Sequence, residues 1–328
     1  MGNALCRTEI HDLGAGGVKI GDYSAVQVEG KETGKESLRF RDLREVARDT
    51  VVADNVLRDC AKSYFGAVGV WVGQSSGNKI IHNDIGGTWQ WGVSVGWNWG
   101  YGADFTRDNL VEFNHVHHIG SLLGSHSSIY TLGIQPGTVI RHNLIHHGAG
   151  YGLGLDQATT GVLVENNLVH HQQAGGLHFN WDCLGNIIQN NIFALNGGPK
   201  QGQWTRYGDA PRGEDTNCNV MMRNIVYWND SRLWNEERWP NWRMILDFNL
   251  YFDASGKPLS LLGLPWEQWK TKSPTIGFVI DHHSLVADPQ FVAPDKDDFR
   301  LKPDSPARTL GFREFDLGAV GSRGKSRP

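Results

Sequence analysis

HNDI (His82–Ile85), FNHV (Phe113–Val116), HNLI (His142–Ile145), NNLV (Asn166–Val169) and NNIF (Asn190–Phe193) are five versions of one four-residue phrase, and its asparagine decides the fold. The shared residues are Asn83, Asn114, Asn143, Asn167 and Asn191, at intervals of 31, 29, 24 and 24 residues. Weaker copies stand at Asn55 (DNVL), Asn224 (RNIV) and Asn249 (FNLY). A period in this range marks a stacked solenoid. The unit is too short for a helix pair, is rich in β-branched residues and lacks helical periodicity. Each repeat is therefore expected to be one coil of a parallel β-helix. Identical residues in successive coils then lie about 4.8 Å apart. At that spacing, inward amides at a sharp bend can hydrogen-bond their neighbours as a ladder.

Flanking positions supply a core, with Ile140 and Ile145, Val164 and Val169, and Ile188 and Phe193 at matching offsets. After each asparagine a turn leads to a second strand: GVWVG (Gly69–Gly73), GVSVG (Gly92–Gly96), SIYTL (Ser128–Leu132), GLGLD (Gly152–Asp156) and GLHFN (Gly176–Asn180). Each alternates with period two, as a strand with one buried face does. The alignment puts Val72, Val95, Thr131, Leu155 and Phe179 inside. Trp71, Ser94, Tyr130, Gly154 and His178 form one outward column, and Gly73, Gly96, Leu132, Asp156 and Asn180 the next.

The repeat runs through most of the 328 residues, so one elongated domain is expected. Residues 1–254 read as the β-helix, with a charged excursion at 22–50 and a polar loop at 200–217. Residues 255–328 read as a tail with a short helix at PWEQWK (Pro265–Lys270), folding back to cap the solenoid. The net charge of −4, without a basic run, argues against a nucleic-acid partner. No apolar stretch approaches the roughly 20 residues of a membrane span. The four cysteines have no CxxC spacing, and Cys60 and Cys183 read as small core residues. MGNALCRTEIHDLG has neither a secretion signal nor the Ser or Thr of a myristoylation motif. TEIHDLGAGGVKIG (Thr8–Gly21) already reads as a coil, leaving no room for the cap a first open edge needs. The expectation is the later portion of a longer protein, extracellular or periplasmic in its full form.

Asp156 falls on the flat outward face, beside Tyr130 one coil back and His178 and Asn180 one coil on. Trp89, Trp91, Trp97, Trp99, Tyr101 and Trp181 ring this face, and exposed aromatics in such number suit stacking against sugar rings. Glycoside hydrolysis needs two carboxyl groups, one acid and one base or nucleophile. Asp156 is the first candidate and Asp182, one coil on, the second, with Asp104, Asp108, Glu214 and Asp215 as rivals. His178 is expected to orient substrate, and Tyr130, Asn180, Trp97, Trp99, Tyr101, Trp181 and Arg206 to bind it. Gly154 is expected to leave open space over its coil. The pairs His117–His118, His146–His147 and His170–His171 stack at one turn in three coils. With no carboxylate or Cys at that height, they read as solvated turn residues, and neither metal nor cofactor is expected. Glu112, Arg141, Glu165 and Gln189 read as a charge ladder. A lyase or epimerase acting on uronates would need cations or an acidic Ca²⁺ cluster. From Ile80 to Pro199 there is no lysine, and only Arg107 and Arg141 are permanently positive.

The stretches AVGVWVGQSSGN (Ala67–Asn78), SVGWNWGYG (Ser94–Gly102), IYTLGIQPGTVIRHNLIHH (Ile129–His147), GLGLDQATTGVLVENNLVHH (Gly152–His171) and NIIQNNIFALN (Asn186–Asn196) resemble bacterial right-handed parallel β-helix carbohydrate-active proteins. The nearest are the family-141 glycoside hydrolases of the pectate-lyase-like superfamily. NIVYW (Asn224–Trp228), DFRLKPDSPA (Asp298–Ala307) and FDLGAVG (Phe315–Gly321) continue the likeness. The resemblance implies a secreted enzyme hydrolysing plant-type glycans, with fucosidase- or xylanase-like activity. Two departures stand out: Ser125 where relatives carry an aspartate, and Gln157 where they tend to carry a glutamate. The expected function is hydrolysis of a neutral polysaccharide. A non-catalytic, adhesin-like glycan-binding β-helix is the first alternative, and a lyase or epimerase the second.

Overall fold

A computed structural model describes residues 2–22, 44, 46–102, 104–123, 126–181, 183–207, 219–235, 244–261, 263–271 and 280–324, with only the backbone at 206 and 207. Asp182, Glu214, Asp215, Ser125, Cys218, the Arg206 side chain and most of the 22–50 and 200–217 segments lie outside that set. Among the described residues, three parallel sheets of nine, ten and eight strands run between Ala4 and Val286, and each strand pairs with the equivalent strand of the next coil. A coil is one short strand from each sheet in turn, for example Val139–Arg141, Leu144–His146 and Tyr151–Leu155. Register is strict. Val111, Ile140, Val164 and Ile188 align in the first sheet, and Val116, Ile145, Val169 and Phe193 in the second. Val72, Val95, Thr131, Leu155 and Phe179 align in the third. All are buried, and the three inward faces make one continuous core.

The bend between the first two sheets is where the repeated asparagine acts. The residue before each one is left-handed, from His142 at φ 52° to Asp54 at φ 59°, a conformation that costs a non-glycine residue about 1–2 kcal/mol. The following asparagine holds the bend. Asn55, Asn83, Asn114, Asn143, Asn167, Asn191, Asn224 and Asn249 form an unbroken ladder. Each side-chain amide donates to the next Oδ1 over 2.9–3.1 Å. All eight are fully buried, so every rung satisfies polar backbone that would otherwise be stranded. A second, interrupted ladder (Asn78 to Asn109, and Asn186 to Asn219) lies at another corner.

Arg141 pairs with Glu112 at 2.5 Å and Gln189 with Glu165 at 3.0 Å along the outer face of the first sheet. The short helix is Trp266–Thr271. Beyond it the chain turns back along the rod. Phe291, Phe299, Leu301, Leu310 and Phe312 pack on Leu168, Ile192, Ile225 and Leu250 of the second sheet. The return continues past Asn190, whose side chain bonds Arg313, and past Phe113, which accepts from the Gly321 amide. It ends at Asp54, held by Arg323. Among the described residues no helix is long and apolar enough to cross a membrane.

Candidate active site

Asp156 closes the strand Tyr151–Leu155 on the outer side of the third sheet. One carboxyl oxygen, Oδ2, accepts from the Tyr130 hydroxyl at 2.5 Å. The other, Oδ1, accepts from Asn180 Nδ2 at 2.7 Å and from the Gln157 amide at 2.6 Å. Three donors from three coils thus converge on one carboxyl group and fix its plane. Behind it, the Cys183 sulfur sits 2.9–3.1 Å from the carbonyls of Leu155, Asp156 and Asn180. Burial and the Asp156 charge push the Tyr130 hydroxyl far above its ordinary value, so Tyr130 remains a donor.

Tyr130 also joins this carboxyl group to an aromatic wall. Its ring lies 5.6 Å from Trp91, Trp91 lies 6.1 Å from Trp97, and Trp97 contacts both Trp71 at 5.9 Å and Trp99 at 6.0 Å. Trp97 is anchored by its indole N–H on Ser94 at 3.0 Å. Trp89 stands apart from that chain of rings and packs on Phe65. Trp181 is half exposed, just beyond Asn180.

His178 occupies the register position next to Gly154. Its ring stacks face to face on Tyr151 at 4.2 Å, and Nδ1 meets Thr205 Oγ1 at 2.8 Å. Burial lowers it to about 3, so it is neutral at any ordinary pH. Gly154 does not open a space: a Cβ there would meet Ser127 Oγ at 2.1 Å. Ser127, from the preceding coil, already fills that volume. Arg206 lies at the register position of Phe179.

Asp104 enters from the loop that follows the Trp97–Trp99 segment. Its Oδ1 accepts from the Thr106 amide at 2.7 Å. Its Oδ2 lies 2.6 Å from where a Cβ on Gly133 would stand, and only a glycine, here at φ 83°, permits that approach. The Gly133 amide in turn donates to the carbonyl of Gln157, the residue after Asp156. Burial outweighs the hydrogen bonds from Thr106, Phe105 and Asn98 and raises Asp104 to about 6. Asp104 and Tyr101 line a cleft of about 340 Å³ with Thr106, Arg107, Ile134 and Pro136. Tyr101 is 48% exposed.

His126 escaped the sequence reading. It packs against Trp91 with ring centroids 4.6 Å apart and the planes tilted by 59°, and burial lowers it while the nearby Asp156 charge opposes that shift. Its only sequence signal was its place just before the Ser127–Thr131 strand. The histidine pairs need correction. His117 and His170 are buried rather than solvated, and carboxylates do stand at their height. Asp84 reaches His117 Nε2 at 3.0 Å, and Asp297 of the returning tail reaches His171 Nδ1 at 3.4 Å.

These coils and this outward face define a right-handed parallel β-helix. The chain belongs to the family described as "Right handed beta helix region", which matches residues 3–193. Among solved structures, one titled "Glycoside hydrolase" is 24% identical over 58% of this chain, with a TM-score of 0.50. This chain spans about a third of that protein's length, 32%. The structure titled "Crystal structure of pectate lyase Pel9A" is 12% identical, covers 89% of this chain and 80% of its own, and has a TM-score of 0.50. A search of curated proteins returns no match.

Proposed function

We propose that this protein is a glycoside hydrolase acting on a neutral or weakly charged polysaccharide, with Asp156 as base or nucleophile and Asp104 as general acid. The observation that carries the reading is a carboxyl group fixed by Tyr130, Asn180 and the Gln157 amide beside a continuous tryptophan wall. Flat indole faces match the apolar faces of sugar rings, and a positioned carboxylate serves the oxocarbenium-like transition state. A general acid must keep its proton near working pH, which burial gives Asp104. Solved structures of the same fold bear glycoside hydrolase and pectate lyase names, in keeping with a carbohydrate substrate. Between those chemistries, the charge pattern favours hydrolysis. Of the two permanently positive residues between Ile80 and Pro199, Arg141 is engaged by Glu112 and Arg107 by Asp108, so neither is a ready counter-ion for a uronate carboxylate.

Turnover is tested by reducing-sugar release from xylan, arabinoxylan and fucosylated pectin fragments. Asp156→Ala is expected to lower it by about 10²–10⁴-fold, as loss of a general acid or base does. Unchanged turnover in that variant would remove Asp156 from the chemistry. Glycan binding without turnover in the parent would make the face a binding module, and an unsaturated product would make the enzyme a lyase.

A further inference from the structure

The three histidine pairs sit at the turn leaving the second sheet. The second member of each pair, His118, His147 and His171, is left-handed at φ 51–52°, a region in which histidine is enriched. That geometry points the two Nδ1 atoms of each pair at one another, 2.8 Å apart in all three coils. At the third pair a further ligand atom arrives from far along the chain. Asp297, left-handed itself at φ 59°, ends the short turn Pro294–Lys296 of the returning tail. Its Oδ1 lies 3.6 Å from His170 Nδ1 and 3.4 Å from His171 Nδ1.

We infer that His170, His171 and Asp297 form a transition-metal site that pins the returning tail to the solenoid, with His147 beside it. The triangle with sides of 2.8, 3.4 and 3.6 Å contains a point roughly 2 Å from all three atoms, the length of a zinc–imidazole or zinc–carboxylate bond. His147 offers a nitrogen within 4.8 Å of those of His170 and His171. Its ring is parallel to that of His171 at 4.9 Å. Two imidazoles and one carboxylate suit Zn²⁺, Cu²⁺ or Ni²⁺ and disfavour Ca²⁺ and Mg²⁺, which take oxygen. Phe299 packs against His170 at 5.2 Å, and His170, Asp297 and Phe299 together line a cavity of about 440 Å³ through which an ion can enter. Arg300, further along the tail, is engaged by Asp298 at 2.5 Å.

The other cluster, Asp84, His115 and His117, is less suited. Arg58 lies 3.1 Å from Asp84 Oδ1 and 3.4 Å from His117 Nε2, so a cation there would have to displace a guanidinium.

The inference is independent of the glycan reading and is tested without activity. The full chain, stripped with chelator, is titrated with ZnCl₂ in a calorimeter and melted with and without the metal. The parent is expected to bind one tight equivalent and to melt at a higher temperature when loaded, because metal binds only the folded site. Asp297→Asn and His171→Gln, both at partly exposed positions, are each expected to weaken binding at least about 10-fold and to abolish the melting shift. Their metal-free melts serve as the check that they fold. Asp84→Asn is expected to bind as the parent does. The site is overturned by no stoichiometric binding in the parent, by unchanged affinity in both variants, or by loss of binding in Asp84→Asn instead.

Discussion

Asn167 illustrates how a single side chain sets a coil. Its Nδ2 faces Asn191 Oδ1 and the carbonyls of Ile140 and Glu165 at 2.9–3.0 Å, while its Oδ1 accepts the Asn143 amide and side chain. Asn167→Ala would strand several of these groups in a fully buried bend. Each orphaned group costs about 1–3 kcal/mol, so a loss of about 3 kcal/mol is expected in denaturant unfolding. A loss below about 1 kcal/mol would show that the ladder is incidental. This ladder was legible because one residue type recurs unbroken. The second ladder was not, because Thr138 and Val162 interrupt it between Asn109 and Asn186. His126 was invisible for another reason: its role comes from Trp91 and Asp156, which its own short segment does not contain.

The loop carrying Asp104 lies against the end of the third sheet. Asn98 bonds Gly102 across it, and the Phe105 amide bonds Gln74. Burying a carboxyl there affects stability with a definite sign. The unfolded chain ionises Asp104 near 3.8, whereas the folded chain keeps the proton to about 6. Folding stability therefore falls as pH rises from about 4 to about 6 and stays lower above that range, by at most about 3 kcal/mol. Asp104→Asn should melt higher than the parent at pH 7.5, with the gap closing below about pH 4. If Asp104 is the general acid, parent turnover also declines as pH rises through about 6, and the variant lacks that decline. A variant less stable than the parent at pH 7.5 would contradict the strained-acid reading.

Along the whole rod, the tail ties distant coils together. A solenoid is stabilised chiefly by contacts between neighbouring repeats, so its early coils gain from any segment that spans many of them. The final tie is Arg323, whose guanidinium holds the buried Asp54 through two bonds of 2.7 Å. The same contact keeps Asp54 below the usual carboxylate range, so its contribution is present near neutral pH and fades as pH falls through and below about 4. Arg323→Ala is expected to cost about 1–2 kcal/mol at pH 7, and progressively less as pH falls below about 4. Hydrogen exchange should be faster at residues 51–58 first. Equal exchange there in parent and variant would show that the tail merely lies on the surface.

The recurring asparagine and its flanking apolar residues determined from sequence alone that the chain winds into a parallel β-helix, and also which strand positions face inward. They could do so because register in such a fold is local: each coil repeats its own instructions, and alternation assigns the faces. The same periodicity was enough to bring Tyr130, Asp156 and Asn180 to neighbouring coils. Only the tertiary structure decided what leaves the repeat and returns to it. Asp104 folds onto Gly133, Ser127 fills the volume beside Gly154, and Asp297 reaches His170 across more than a hundred residues. Those contacts depend on the paths of loops and tail, which carry no period to read, and they determine burial, charge and possible ligands at both sites.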